Sequence, residues 1–358
     1  MSVETQARTQ QWAVSAEAGR LLEVHGLCVD YLTEGGAIRA CADVDLTVHR
    51  GEIIGVAGES ASGKSTLLTA ITRLQRPPAV TAAGSIVYHP ASGPAINLVG
   101  MTERQLSPLR WQDVSVVMQS AMACLNPVTT IAAQFRDVLR RHNPGMSKKE
   151  AAERTADLLR LVGIPADRMR GYPHQMSGGM RQRTLIALAM ACDPELVVMD
   201  EPTTAVDVVT QRQILDQIMQ LQEERGFAVL FVTHDLALLT EISDRIAIMY
   251  AGRIVEIAGA QQIYRDPQHP YTRGLRDAYP PLSAPLRRLT GIPGNPPDLQ
   301  ALPPGCAFAP RCAARMDVCD RTRPALTAAG GDGQAACHLY PGAAPTAHAA
   351  PETPEEER

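Results

Sequence analysis

The sequence has 358 residues, enough for one large domain with an appendage or for two domains, each able to bury a substantial core. Its 34 Lys and Arg against 38 Asp and Glu give a net charge of −4, so it lacks the basic excess that general nucleic-acid binding requires. It contains no run of eighteen apolar residues and no signal-peptide pattern. We therefore expect a protein that is not exported and has no membrane-spanning segment.

Two half-buried antiparallel strands are predicted near the start of the chain. Apolar residues alternate loosely with polar residues over 22–31 and strictly over 44–48. Tyr31 ends the first strand, where its ring could stack on a nucleotide base. On its own, Tyr31 fits a core position better.

A phosphate-binding loop is predicted at 58–66, because this stretch fits the pattern G-x-x-x-x-G-K-[ST] and follows the apolar run 53–57. Glycines at both ends allow a tight turn whose N–H groups point at phosphate oxygens. We expect Lys64 to reach the β- and γ-phosphates and Ser65 to offer its hydroxyl to Mg²⁺. A glycine-rich turn without a ligand is the alternative. The loop residues expected to contact the nucleotide are Gly58, Ser60, Ser62, Gly63, Lys64, Ser65 and Thr66.

Weaker signals follow in the middle of the chain. Gln119 lies after the short apolar strand predicted at 114–118, and residues 147–163 have the spacing of a helical insertion. Ser177 precedes Gly178 and Gly179 at the start of a further helix, whose N-terminal amides suit an anion. A plain serine cap explains these three residues equally well.

Two predicted strands carry polar residues at their carboxyl ends. The apolar run 196–199 ends at Asp200 and Glu201, and the run 227–232 ends just before His234. Ligands bind at this edge of open α/β sheets, so we expect Asp200 to hold Mg²⁺ through water and Glu201 to polarise the attacking water. His234 can donate a hydrogen bond to the γ-phosphate. A charged turn and a structural histidine are the alternatives.

In this order, the motifs resemble those of the ATP-binding cassette (ABC) ATPases over residues 21–262. The resemblance implies that ATP and Mg²⁺ are cofactors and that Glu201 is the catalytic base, assisted by His234 and Gln119, which also contacts Mg²⁺. It assigns 58–66 to the Walker A loop, Gln119 to the Q-loop, 177–180 to the signature motif, 196–201 to Walker B, 205–207 to the D-loop, His234 to the switch histidine and Tyr31 to the base-stacking A-loop aromatic.

The signature motif and the sequence beyond the cassette both resemble those of the ATPase subunits of oligopeptide/dipeptide importers. Met180 stands where the general family usually has glutamine, and the segment 266–275 contains the sequence His-Pro-Tyr. Four cysteines follow, with intervals of five, six and seventeen residues, which exceed the paired spacing usual for zinc. The resemblance implies that they bind a [4Fe–4S] cluster, while zinc and unliganded thiols stay open. These cysteines are Cys306, Cys312, Cys319 and Cys337.

We therefore predict an α/β fold: a P-loop ABC nucleotide-binding domain at 21–262, with a RecA-like core, an antiparallel β portion and a helical subdomain. A small Cys-rich domain is expected at 263–340, and disordered ends at 1–20 and 341–358.

The expected function is ATP hydrolysis coupled to peptide import at the cytoplasmic face of the cell membrane. The implied partners are a second ABC ATPase, which the resemblance favours as a different chain, two permease subunits and an extracytoplasmic solute-binding protein. Nickel or glutathione import is an alternative. A soluble ABC ATPase acting on ribosomes or DNA fits the acidic balance less well. A phosphate-loop kinase would leave the signature motif and His234 without a purpose.

Overall fold

The computed structural model describes residues 19–119, 124–203, 206–278 and 291–340. The ends predicted to be disordered, 1–20 and 341–358, lie outside these ranges except for residues 19 and 20, and so does Ala205 of the predicted D-loop. No helix in the described part of the chain is long and apolar enough to cross a membrane.

An antiparallel sheet of four strands, in the order β2-β1-β4-β5, forms the first part of the fold. The alternating pattern in the sequence predicted its two long strands, and the structure confirms both. Val24 and Val44 are buried while polar neighbours such as Asp43 and Asp45 are exposed. The strands are β1 (Arg20–Thr33), β2 (Gly36–His49), β4 (Ala79–Tyr88) and β5 (Ile96–Asn97).

A second sheet has the strand order β11-β12-β10-β9-β3-β8-β7-β6. Its strands from β9 to β6 run parallel, and β10, β12 and β11 continue it in antiparallel pairs. The strands are β3 (Ile53–Ala57), β6 (Val114–Val117), β7 (Leu196–Asp200), β8 (Ala228–Val232), β9 (Arg245–Tyr250), β10 (Arg253–Gly259), β11 (Thr327–Ala328) and β12 (Gln334–Ala335).

Helices begin and end at the signals that the sequence carries. Ser147 forms a capping box with Glu150 at the start of the predicted helical insertion, and Asp207 caps a long helix that ends at Gly226, whose φ is 70°. The helices are α1 (Lys64–Ile71), α2 (Glu103–Leu106), α3 (Ile131–His142), α4 (Lys148–Leu161), α5 (Gly178–Ala189), α6 (Val208–Arg225), α7 (Leu236–Ile242), α8 (Ala260–Arg265), α9 (Pro270–Ala278) and α10 (Asp317–Arg321).

The parallel strands separate two hydrophobic cores. Successive side chains of a strand point to opposite faces of its sheet, and both faces are covered here. In β7, Val197 and Met199 pack with α3, α4, α5 and α6, whereas Leu196 and Val198 pack with α1 and the antiparallel sheet. This double burial explains why β3, β7 and β8 read as continuous apolar runs in the sequence.

The C-terminal segment is built into the cassette. Strand β12 pairs with β10, so it extends the central sheet. Tyr271, Leu275 and Phe308 belong to the same core as α3 to α6. A separate Cys-rich domain, which the sequence led us to expect, is therefore not supported, because this segment shares both core and sheet with the rest of the protein.

Candidate functional site

Four neighbouring parallel strands deliver the predicted nucleotide-site residues to one edge of the sheet. The strand order places β3, β8, β7 and β6 side by side. Their carboxyl ends are followed by the phosphate loop, His234, Glu201 and Gln119, respectively. The carboxyl edge of a parallel sheet is where ligands bind in such folds, so the topology itself assembles a candidate site.

The phosphate loop requires its two motif glycines. Gly58 has φ 156° and Gly63 has φ 104°. A Cβ on Gly58 would lie 2.3 Å from the carbonyl oxygen of Met249, and a Cβ on Gly63 would lie 2.5 Å from that of Ala40. Because these neighbours are backbone atoms that cannot move aside, no larger residue fits at either position.

Lys64 begins α1 and lies buried over the loop. Its Nζ donates hydrogen bonds to the carbonyl oxygens of Gly58 and Glu59, both at 2.8 Å. Burial lowers the pKa of Lys64, and the negative charges of Glu201 and Asp200 partly offset this effect. An ammonium group held in this way can bind the phosphates of a nucleotide directly.

Ser65 and Asp200 form the candidate Mg²⁺ site. The hydroxyl of Ser65 donates to Oδ1 of Asp200 at 3.5 Å. Burial raises the pKa of Asp200, the hydrogen bond from Ser65 lowers it, and the charge of Glu201 raises it further. A hydroxyl and a carboxylate oxygen are the ligands that Mg²⁺ takes beside nucleotide phosphates. Among the described residues, no group of three or more His, Cys, Asp or Glu side chains could hold a metal ion.

The carboxylate of Glu201 contacts side chains that follow two other strands, β6 and β8. Its carboxylate accepts a hydrogen bond from Nε2 of Gln119 at 2.7 Å, and Nδ1 of His234 lies 3.2 Å from its other oxygen. Its backbone has φ 45°, an uncommon value for a residue with a side chain, and its N–H donates to the carbonyl oxygen of Val232 at 2.9 Å. Strained residues of this kind concentrate at functional sites, and the fold holds this one in place from β8.

A cleft of about 800 Å³ lies over the loop, and Asp200 does not line it. The whole loop 58–66 lines it, together with Gln119, Glu201 and His234. Tyr31 is not among the lining residues, although its hydroxyl lies 3.3 Å from that of Thr66. The C-terminal segment provides a wall that the sequence did not lead us to expect, formed by Leu275, Ala278, Gly291, Ile292 and Pro296.

The predicted signature motif lies elsewhere. Ser177 caps α5 by accepting a hydrogen bond from the N–H of Met180 at 3.3 Å. A Cβ on Gly179 would lie 2.5 Å from Cγ2 of Thr210, which shows how closely α5 and α6 pack. Ser177, Gly178 and Gly179 do not line the cleft over Lys64. Within the described chain, the predicted anion site at α5 and the phosphate loop are therefore separate.

The four C-terminal cysteines lie in the same region of the fold, although no group of three or more His, Cys, Asp or Glu in the described part of the chain could hold a metal ion. Burial raises the pKa of Cys306 to about 11, and the charges of Cys319, Cys337 and Cys312 each raise it further. All four are free thiols, and Cys319 and Cys337 are buried. The backbone supports this arrangement, since the N–H of Cys306 donates to the carbonyl oxygen of Cys319 at 2.8 Å.

Sequence reasoning missed Glu59 and Arg311 as parts of this site. Glu59 occupies a variable position of the loop motif, and Arg311 stands among the cysteines. The guanidinium of Arg311 nevertheless binds the carboxylate of Glu59 across 252 residues of chain. No local pattern signals such a pair.

Comparisons with other proteins agree with this geometry. The family model described as "ABC transporter" matches residues 41–204, and the model "Oligopeptide/dipeptide transporter, C-terminal region" matches residues 255–319. A dimeric ATP-binding cassette bound to ADP and Pi superposes with a TM-score of 0.60 at 26% identity, covering 67% of this chain and 99% of that one.

Two curated relatives match over most of their length. A putative peptide import ATP-binding protein of Brucella ovis is 44% identical over 86% of this chain and 93% of its own. The dipeptide transport ATP-binding protein DppD of Bacillus subtilis is 41% identical over 86% of this chain and 91% of its own.

Fold and site together define a P-loop ATPase with an ABC fold. Within that class, the chain belongs to the ATP-binding proteins of the oligopeptide/dipeptide ABC transporters.

Proposed function

We propose that this chain is the ATP-hydrolysing subunit of an ABC importer for peptides. The observation that carries the proposal is the carboxylate of Glu201, which lies in the cleft over the phosphate loop and is hydrogen-bonded by Gln119. A carboxylate oriented in this way can polarise a water molecule for attack on the γ-phosphate.

The other residues take roles that follow from their positions. The loop amides and Lys64 bind the phosphates, and Ser65 and Asp200 hold Mg²⁺, which neutralises charge that develops on the phosphates. Gln119 orients Glu201 and contacts the metal, and His234 donates to the γ-phosphate. Tyr31, whose hydroxyl lies 3.3 Å from that of Thr66, stacks on the base through its ring.

A second cassette completes the nucleotide site. Ser177, Gly178 and Gly179 present a helix N-terminus that is exposed at Ser177 and does not line the cleft of the same chain. They would therefore contact ATP bound to the partner's loop. The similar cassette that is dimeric with ADP and Pi supports this arrangement. We favour a different chain as the partner.

Peptides are the proposed solutes because the relatives include a putative peptide import protein and a dipeptide transport protein. Two permease subunits would supply the membrane path and an extracytoplasmic solute-binding protein the selectivity. The chain would then work at the cytoplasmic face of the membrane, with its cassette at 21–262 and the segment 263–340 packed against it.

The four cysteines are proposed to bind a [4Fe–4S] cluster. Four thiolates are the ligand set of such a cluster, and Cys306 is near enough to the other three for their charges to raise its pKa. Among the described residues, no group of three or more His, Cys, Asp or Glu could hold a single metal ion, whereas a [4Fe–4S] cluster takes its four thiolates on separate iron atoms. When bound, the cluster would cross-link the C-terminal segment through four cysteine sulfur atoms.

Product analysis tests the proposed reaction. The purified chain, mixed with its partner subunits, should convert ATP to ADP and free phosphate without phosphorylating a small molecule. Lys64→Ala should weaken ATP binding by at least about tenfold, because it removes a charge that binds the phosphates. Lys149→Ala is the matched control, since that side chain is 87% exposed and does not line the cleft. Phosphate transfer to a small molecule, or equal ATP binding by the Lys64 variant, would contradict the proposal.

A further inference from the structure

A bidentate ion pair ties the C-terminal segment to the phosphate loop. Nη1 and Nη2 of Arg311 donate to the two carboxylate oxygens of Glu59 at 2.7 and 3.0 Å. The side chain of Arg311 is only 6% exposed. The backbone of Glu59 is held as well, because its N–H donates to the hydroxyl oxygen of Tyr271 at 2.7 Å. The C-terminal segment thus contacts both the side chain and the backbone of Glu59.

Contacts other than Glu59 also hold the side chain of Arg311 in place. Its guanidinium carbon lies 5.9 Å from the ring centroid of Tyr250 and 5.8 Å from that of Phe308. Its Nε donates to the carbonyl oxygen of Pro293 at 2.7 Å. Cation–π contacts of a desolvated guanidinium are among the stronger ones, so little freedom remains for this side chain to lose.

The His-Pro-Tyr sequence positions Tyr271. Glu256 accepts hydrogen bonds from the N–H groups of Gln268 and His269 at 2.7 and 2.9 Å. Nδ1 of His269 then accepts from the N–H of Tyr271 at 3.0 Å. Burial lowers the pKa of His269 to about 3, so its ring stays neutral and Nδ1 remains an acceptor. A chain of buried contacts therefore runs from β10 to the phosphate loop.

The negative charge of Glu59 lies beside the phosphate site and is paired with Arg311. Glu59 follows the first glycine of the loop and lines the cleft, and its charge acts on Lys64. An unpaired carboxylate at this place would repel a nucleotide triphosphate, and a half-buried site screens that repulsion less than water does. Arg311 neutralises the charge of Glu59, and the hydroxyl of Tyr271 holds the loop backbone at Glu59.

We propose that Arg311 and Tyr271 are positioning residues for ATP binding, and that Arg311 acts chiefly by neutralising Glu59. The inference rests on the proposed nucleotide site over Lys64. It gives the C-terminal segment a direct part in the affinity of the cassette for nucleotide.

A double-mutant cycle tests this role. The affinity of the full chain for a fluorescent ATP analogue should fall about tenfold in Arg311→Ala, the loss expected when one charged hydrogen-bond pair is broken. Arg311→Lys should lose less, because it keeps the charge but not the bidentate geometry. Glu59→Gln combined with Arg311→Ala should return to within about threefold of the wild type, because the repelling carboxylate is gone. KM for ATP should change in parallel, with kcat nearly constant.

Controls separate the possible failures. Arg315→Ala removes an arginine of the same segment that is 51% exposed and pairs with Asp320, and it should leave affinity unchanged. If Arg311→Ala does not fold, Arg311→Lys and Glu59→Gln carry the test, with Glu59→Gln binding at least as tightly as the wild type. A double variant as weak as Arg311→Ala, or a weakened Glu59→Gln, would overturn the inference. Failure of the wild type itself to bind ATP would instead overturn the proposed function.

Discussion

Gln119 and Glu201 lie at the ends of two adjacent parallel strands and are joined by a hydrogen bond of 2.7 Å. The amide can donate only through Nε2, so the carboxylate oxygen is held at a defined position in the cleft. This hydrogen bond therefore links the proposed catalytic base, which follows β7, to the end of the neighbouring strand β6.

Glu201→Gln should bind ATP normally but hydrolyse it at least about 100-fold more slowly, because an amide cannot polarise water as a carboxylate does. Single-turnover hydrolysis by the assembled complex measures this. Glu153→Gln is the control, since its side chain is 63% exposed on α4. Hydrolysis within a few-fold of the wild type would remove Glu201 from the role of base.

Ser177→Arg should impair the nucleotide site of the partner cassette. The site over Lys64 should be unaffected, because the signature motif that contacts it belongs to the partner. An arginine at this helix N-terminus would fill the place of the proposed anion and project beyond the cap. Photo-crosslinking of labelled ATP to each subunit distinguishes the two sites. Ser92→Arg, in an exposed loop, is the control. Loss of labelling at the Lys64 site instead would contradict the use of the signature motif in trans.

Acidification should destabilise the protein through Glu52. Burial alone would raise the pKa of this carboxyl, but the hydrogen bond from His49 and the charge of Arg245 outweigh it and hold the pKa below its usual value. A carboxylate with a lowered folded pKa stabilises the protein above its unfolded pKa, and this stability is lost as pH falls through the folded value.

Thermal unfolding measured from about pH 7 to about pH 3 tests this effect. Glu52→Gln should lose about 3 kcal/mol at neutral pH, because Arg245 is left half-buried without its partner, and should show a flatter pH dependence. An unchanged pH dependence in Glu52→Gln would show that other carboxyls dominate.

A [4Fe–4S] cluster bound by the four C-terminal cysteines would make the protein coloured. Anaerobically purified protein should be brown and contain about four irons per chain, as a [4Fe–4S] formula requires. Cys312→Ser should bleach it, whereas Cys124→Ser, outside the C-terminal segment, should not. Stoichiometric zinc without iron would contradict the cluster and favour a zinc site.

The sequence predicted the parts of the site that depend on local pattern. Apolar runs ending in Asp200, Glu201 and His234 identify buried parallel strands, and the rule that ligands bind at their carboxyl edge brings these residues together without knowledge of the coordinates. Gln119 belongs to the same edge, but a glutamine after a strand is too common to stand alone.

What the sequence could not show depends on contacts between distant segments. Glu59 and Arg311 meet only because the chain beyond β10 returns along the cassette, and neither residue lies in a periodic pattern that records this. The apolar residues Tyr271 and Phe308 do not reveal whether they fill a small core of their own or a shared one. For that reason a separate domain was expected where the structure has a shared core.

The central claim is that this chain hydrolyses ATP to drive peptide import. The most direct measurement is ATP hydrolysis by the complete transporter in lipid vesicles, with and without peptide-loaded solute-binding protein. We predict that the loaded binding protein stimulates hydrolysis and that Glu201→Gln in this chain removes the stimulated part along with peptide uptake. Stimulated hydrolysis and uptake that persist with Glu201→Gln would contradict the account.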